Sequence, residues 1–234
     1  MSTRKTLLSW SSGKDSAWTL HALRQRSDVE VVGLMTTVNQ LYHRISIHAV
    51  RVELLQRQAE AAGLPLYLIS LPHPCTNADY EAAMGTFIGQ AKREGTECMA
   101  FGDLFLADIR EYREGRLAGT GIKRVFPLWQ MDTTELGKEM IRGGLRAVIT
   151  CLNPQQLPAS FAGREFNEQF LADLPADIDP CGERGEFHSF AFDGPMFRSA
   201  VRVEVGEICE REGFVYADLL PADAATANPP FDQD

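Results

Sequence analysis

The sequence predicts an α/β fold: an open parallel sheet with helices on both faces, followed by a small C-terminal α+β part with antiparallel strands. Three observations predict it. Short β-branched runs alternate with longer helical patterns over the first two thirds of the 234 residues, the rhythm of βαβ units. A polar loop, Ser11-Ser12-Gly13-Lys14-Asp15-Ser16, stands between the first run and the first helical pattern, where open parallel sheets bind ligands. After about residue 153 the rhythm ends, and Pro154, Pro158, Pro175 and Pro180 punctuate a loop-rich stretch leading to period-two strands.

Residues 6–10 form the first expected strand, 16–26 the first helix and 29–38 the second strand. Over 48–62 the spacing of Val52, Leu55, Ala59 and Ala62 predicts a helix that Gly63 caps and Pro65 stops. Residues 66–71 are a third strand. Thr76 and Asp79 form a capping box for a helix whose inner face carries Tyr80, Met84, Phe87, Ile88 and Ala91, with Gly95 at its end. Residues 98–101 are a fourth strand running into Gly102-Asp103. Asp132 and Glu135 open a helix that Gly143-Gly144 stop, and 145–152 is expected as a fifth strand of the same sheet. A short helix near 165–172 precedes strands at 187–192 and 197–205, the latter alternating as a half-exposed strand does, with 213–220 as its antiparallel partner. The expected division is 1–153, 154–220 and a disordered tail at 221–234.

Lys plus Arg number 23 against 32 Asp plus Glu, a net charge of −9, which opposes a general nucleic-acid binder because such affinity rests on a basic surface. The five cysteines form no C-x-x-C pair, so neither a zinc site nor a disulfide framework is indicated. The apolar run before the polar loop is too short for a signal peptide, and no stretch approaches the ~20 apolar residues of a membrane helix. A cytoplasmic protein is expected.

The loop has the parts of an anion site. Amides opening a helix favour negative charge, Ser11, Ser12 and Ser16 add hydroxyls, Gly13 permits close approach, and Lys14 adds charge. Asp15 would repel a bare phosphate, so it points to magnesium or to a cap. Spacing alone leaves open a serine-rich turn without a ligand. Asp103, beside Gly102 at the end of the fourth strand, faces the nucleotide position across the switch point; it reads either as a magnesium or catalytic group or as a helix cap. Residues 108–114 read as a solvated helix face with an Arg110–Glu114 pair, Arg110 and Tyr112 being candidate substrate contacts. In 181–190, CGERGEFHSF, two glycines bring Glu183 and Glu186 together ahead of a strand carrying His188, a set suited to proton exchange, metal binding or an acidic hairpin without chemistry.

SSGKDS resembles the S-G-G-x-D-S loop of the ATP pyrophosphatase (PP-loop) superfamily, with Ser12 in place of a glycine. If that position needs positive φ, the serine is strained there. GERGEFHSF with Asp193-Gly194-Pro195, together with FGD at 101–103 and PLW at 127–129, is similar to the diphthine–ammonia ligase branch, over nearly the whole chain to about residue 205. The resemblance implies a Rossmann-like PP-loop domain that uses ATP and Mg2+. Its ATP-binding residues would be Ser11, Ser12, Gly13, Lys14, Asp15, Ser16 and Gly102, its metal ligands Asp15 and Asp103, and its catalytic residues Lys14, Asp103, Glu183, Glu186 and His188. It implies adenylation of a carboxylate, small or protein-borne, then amide formation with ammonia. The segment 104–116 resembles bacterial members, and bacteria make no diphthamide, so a carboxylate other than diphthine is expected. A homodimer is compatible with this reading. The alternatives are an ATP-binding or ATP-hydrolysing sensor and a tRNA-modifying PP-loop enzyme.

Overall fold

The computed structural model describes residues 3–39, 44–45 and 50–222; the expected tail beyond 222 and the first residues of the helix expected at 48–62 lie outside them. In chain order the elements are β1 Arg4–Ser9, α1 Lys14–Arg24, β2 Val29–Asn39, β3 Arg44–Ile45, α2 Val52–Ala62, β4 Leu66–Leu71, α3 Asn77–Arg93, β5 Cys98–Ala100, α4 Ala107–Leu117, β6 Lys123–Val125, α5 Thr133–Arg142 and β7 Arg146–Leu152. They continue with α6 Glu168–Asp173, β8 Phe187–Asp193, β9 Val203–Arg211 and β10 Phe214–Pro221.

Five strands run parallel in the order β4-β2-β1-β5-β6, with two-residue β3 antiparallel against the end of β2. The chain moves outward from β1 through β2 to β4, then returns to place β5 beside β1 (Thr6 opposite Cys98, Leu8 opposite Ala100). That reversal is the switch point, and the loop after β1 and the Gly102-Asp103 turn after β5 flank it as expected. Period-two alternation sorts the strands' side chains between layers. Leu8 and Leu34 face α1 and α2, with Trp18, Leu20, Leu54 and Leu55. Leu7, Met35 and Met99 face the layer of α3 and α4, with Ile88 and Leu117. Gly63 ends α2 at φ 67, and Thr76 and Asp79 form the capping box of α3.

The C-terminal sheet is antiparallel in the order β8-β7-β10-β9. Here the structure differs from expectation. The run at 145–152 joins this second sheet, because an apolar run buried from Ala147 to Leu152 looks the same between helices or between antiparallel partners. The edge place in the parallel sheet goes to β6, whose three residues carry no readable period. The strand expected at 197–205 lies later, at Val203–Arg211; Phe197 instead packs edge-on against Trp10 at 6.3 Å.

Candidate active site

The loop after β1 is held open by its neighbours. Ser12 has φ 70, so the position does require the left-handed region where a serine is strained. Three contacts fix it there. Ala191 N donates to Ser12 O at 2.9 Å, and Gln58 Nε2 donates to the same oxygen at 3.0 Å and to Ala191 O at 2.6 Å. Gln58 Oε1 in turn accepts from Trp10 Nε1 at 2.8 Å. Gln58 is fully buried and gave no sequence signal, since it lies in mid-helix far from any motif. We expect Gln58→Leu, which leaves the Trp10 donor buried without an acceptor, to destabilise the fold by about 1–3 kcal/mol. It should also lower kcat/KM for ATP on the order of 10²-fold through loss of loop position. A drop in melting temperature with unchanged ATP kinetics would assign Gln58 a structural role alone.

Gly13 caps α1; a Cβ there would stand 3.2 Å from Ser189 O, so β8 presses against the loop. Ser16 Oγ donates to Gly13 O, Ser11 Oγ meets Ser16 Oγ at 3.2 Å, and Lys14 N donates to Ser189 Oγ. Gly102 is required for packing: a Cβ would meet Thr19 Oγ1 at 3.0 Å and the Asp15 backbone at 3.2 Å.

Lys14 does not project freely toward a ligand. Its side chain is 2% exposed, and its ammonium donates to Asp15 Oδ2 at 2.9 Å and to Cys181 O, between the rings of Phe166 and Phe187 at 5.6 and 5.3 Å. Burial works against charge at Lys14 and at Asp15 alike. Their mutual attraction keeps Lys14 an ammonium, while Asp15 is held above the usual carboxylate range. Asp15 Oδ1 is buried with no hydrogen-bond partner.

From the other side come Glu183 and His188. Gly182 at φ 69 cannot be replaced, because a Cβ would lie 2.8 Å from Phe187 O. Glu183 Oε1 accepts from Leu104 N at 2.8 Å and Phe105 N at 3.4 Å, tying the C-terminal segment to the turn after β5. Burial pushes its carboxyl up to about 7, against the two amide hydrogen bonds. Burial, aided by the Lys14 charge, pulls His188 down to about 4, so its imidazole is neutral at pH 7. Glu186 is 1% exposed and its two oxygens accept from Asp179 N and Arg184 N, which staples the turn. Its carboxylate is occupied by backbone.

Ser11, Gly13, Asp15, Asp103, Glu183 and His188 all line one cavity of about 230 Å3. Arg113 lines it too, a residue the sequence reading left on the solvated face of α4. Its Nε sits 2.6 Å from Asp103 Oδ2 and its guanidinium lies 4.8 Å from the Phe101 ring centre. Arg110 stacks instead on Phe126 and Trp129 and pairs with Glu114, outside this cavity. A second cavity of about 760 Å3 shares Ser9, Ser11 and Arg113 with the first and includes Tyr112.

The loop after β1 thus shares one space with a buried carboxyl raised toward neutrality and a neutral imidazole. The chain belongs to the diphthamide synthase family: residues 4–123 match the model of the diphthamide synthase N-terminal domain, and residues 132–219 that of the C-terminal domain. The two models meet near the point where the chain leaves the parallel sheet. Curated relatives named diphthine–ammonia ligase include that of Mus musculus, 23% identical over 223 residues and covering 80% of each chain. Those of Bos taurus and Homo sapiens are each 24% identical over 195 residues, covering 76% of this chain and 71% of theirs. The protein is accordingly an ATP-dependent ligase of the carbon–nitrogen bond-forming kind.

Proposed function

We propose that the protein converts a carboxylate other than diphthine into an amide through an acyl-adenylate, with ammonia as nitrogen donor. The observation that carries this reading is the single cavity in which the phosphate loop faces Glu183 and His188. A carboxylate oxygen attacks the α-phosphorus of ATP and the bond to the β-phosphate oxygen breaks. Pyrophosphate leaves against the Ser11–Ser16 loop, whose helix N-terminus favours the developing charge. Ammonia nitrogen then attacks the acyl carbon, the bond to AMP breaks, and the excess proton passes to Glu183. Neutral His188 accepts or donates a hydrogen bond without adding charge. Lys14 and Glu186 act on this reading through the loop and turn that they fix. Arg113, where the two cavities meet, offsets charge at the α-phosphate, with Asp103 holding it.

The residues fit magnesium in part. Among the described residues no three His, Cys, Asp or Glu side chains are grouped to hold a metal by themselves. Magnesium in nucleotide sites typically takes one or two carboxylates plus phosphate oxygens, and the orphaned Asp15 Oδ1 supplies one such ligand. Asp103 is engaged by Arg113, so Asp15 is the better of the two expected ligands. The ion would screen charge between the phosphates and the incoming carboxylate.

On this reading residues 1–153 carry the nucleotide, and 154–220 supply Glu183, which takes the proton, and the neutral His188. Among the described residues no helix is long and apolar enough to cross a membrane, and we place the reaction in the cytoplasm, with a homodimer compatible but part of no step. The cysteines disfavour sulfur transfer to tRNA. Burial raises the Cys151 thiol to about 11 and the Cys181 thiol further, so neither presents a thiolate near pH 7.

Incubating the protein with ATP, magnesium, ammonium and a panel of carboxylates should release AMP and pyrophosphate in equal amounts. Release of ADP and phosphate would overturn the reading, and tight ATP binding without cleavage in any mixture would favour a nucleotide sensor.

A further inference from the structure

The 760 Å3 cavity does not stop at the nucleotide end of the sheet. Its lining begins at Ser9 and Met35–Thr37, at the carboxyl ends of β1 and β2, and ends at Lys92 and Thr120, beside the amino ends of β5 and β6. Along α3 it follows Tyr80, Met84, Ile88 and Lys92, about 18 Å of helix at 1.5 Å per residue. The cavity is thus a groove crossing one whole face of the sheet between α3 and α4. Its floor is apolar, with Met35, Met99, Phe101 and Leu117. Glycines stand on the groove side of α3 where other helices carry side chains: a Cβ at Gly85 would meet nothing within 4 Å, and one at Gly89 only Arg93 Nη1 at 3.6 Å. Glu81 pairs with Arg116 and Lys92 donates to Thr120 O, so one polar strap joins α3 to α4 and a second joins α3 to the turn after α4.

On the proposed adenylation, a nucleoside joined to an α-phosphate beside Arg113 would lie at the mouth, where Thr36 and Thr37 line the same cavity. We infer that the inner half holds the body of the carboxylate substrate, and that this substrate is an acid with an extended, chiefly apolar chain. The inference rests on the proposed adenylation only for where the carboxyl lies. The groove adjoins the phosphate cavity, sharing Ser9, Ser11 and Arg113 with it, so a chain between the helices would have its carboxyl beside the α-phosphate. Each methylene buried there strengthens binding about fourfold, so two suffice for more than tenfold.

Decanoate and acetate serve as probes, titrated calorimetrically into wild type and Gly89→Leu, each with and without α,β-methylene-ATP. Leucine favours the helix over glycine and its Cβ has room, so the variant should fold; Gly85→Leu repeats the test at a second position. Wild type should bind decanoate at least tenfold more tightly than acetate. Gly89→Leu should lose that preference and keep its affinity for the nucleotide analogue. Equal binding of the two acids by wild type, or an undiminished preference in both variants, would overturn the inference. So would weakened nucleotide binding in Gly89→Leu, which would put the base in the inner groove. Because the acids are also titrated without nucleotide, a failure of adenylation leaves the groove separately tested.

Discussion

Replacing Glu183 by Gln is expected to lower the rate of amide formation by roughly 10²–10⁴-fold while leaving ATP affinity unchanged. The amide is the same size, and its oxygen can still accept from Leu104 N and Phe105 N, so the link between the C-terminal turn and the end of β5 survives. What is lost is a group able to take a proton near neutrality. Burial raises the Glu183 carboxyl to about 7, whereas an ordinary carboxylate would be too weak a base to be useful at that step. At a fixed concentration of free ammonia, wild-type rate should therefore climb with pH through about 7 and then level. Glu183→Gln should lack that limb. A variant that keeps the limb, measured by amide formed per unit time from pH 5.5 to 8.5, would move the base elsewhere.

The same group reports on stability with the opposite sign. Its pKa in the fold, about 7, lies above the ordinary 4.5, so the native state holds the proton longer than the unfolded chain does. The stabilisation is complete below about 4.5 and is lost as pH rises through 7. Glu183→Gln should melt above wild type at pH 8, and the difference should shrink as the pH falls toward 4.5. His188 limits the acid side: its value falls from 6.5 to about 4, so the neutral imidazole stabilises the fold above 6.5 and that stability is lost as pH falls through 4. A carboxyl kept at a cost in stability above neutrality is what a site maintained for chemistry looks like.

What the sequence made legible was local. The loop between β1 and α1, the capping box of α3, the αL cap at Gly63 and the return of β5 to the side of β1 all follow from short-range chemistry and chain order. What it hid depends on partners distant in the chain. The apolar run of β7 carried no mark of which sheet would receive it, and β6 was too short to show a period. Glu183 and Glu186 look alike in sequence, yet Gly182 and Gly185 turn one to the amides after β5 and the other back into its own turn. Gln58 and Arg113 sit on helices where nothing nearby explains them. Each becomes meaningful only when the fold sets it against Ser12 or Asp103.

Lys14→Met should be strongly destabilising. Methionine refills most of the volume between Phe166 and Phe187, so the loss comes from charge rather than from a cavity. It strands Asp15, one of whose oxygens is already buried without a partner, and removes the donor to Cys181 O. Removing one member of a buried pair costs about 3–5 kcal/mol, most of it the penalty on the charge left behind. Neutralising that charge as well, in Lys14→Met/Asp15→Asn, should therefore recover a good part of the stability, as read by chemical denaturation. Activity should not return with it, because the double variant still lacks the latch between the phosphate loop and the Cys181 turn and has also lost the orphaned Asp15 carboxylate oxygen proposed to meet magnesium. The contrary result is as informative. If Lys14→Met is as stable as wild type and differs only in a raised KM for ATP, the ammonium serves the phosphates directly and the latch is not what holds this loop.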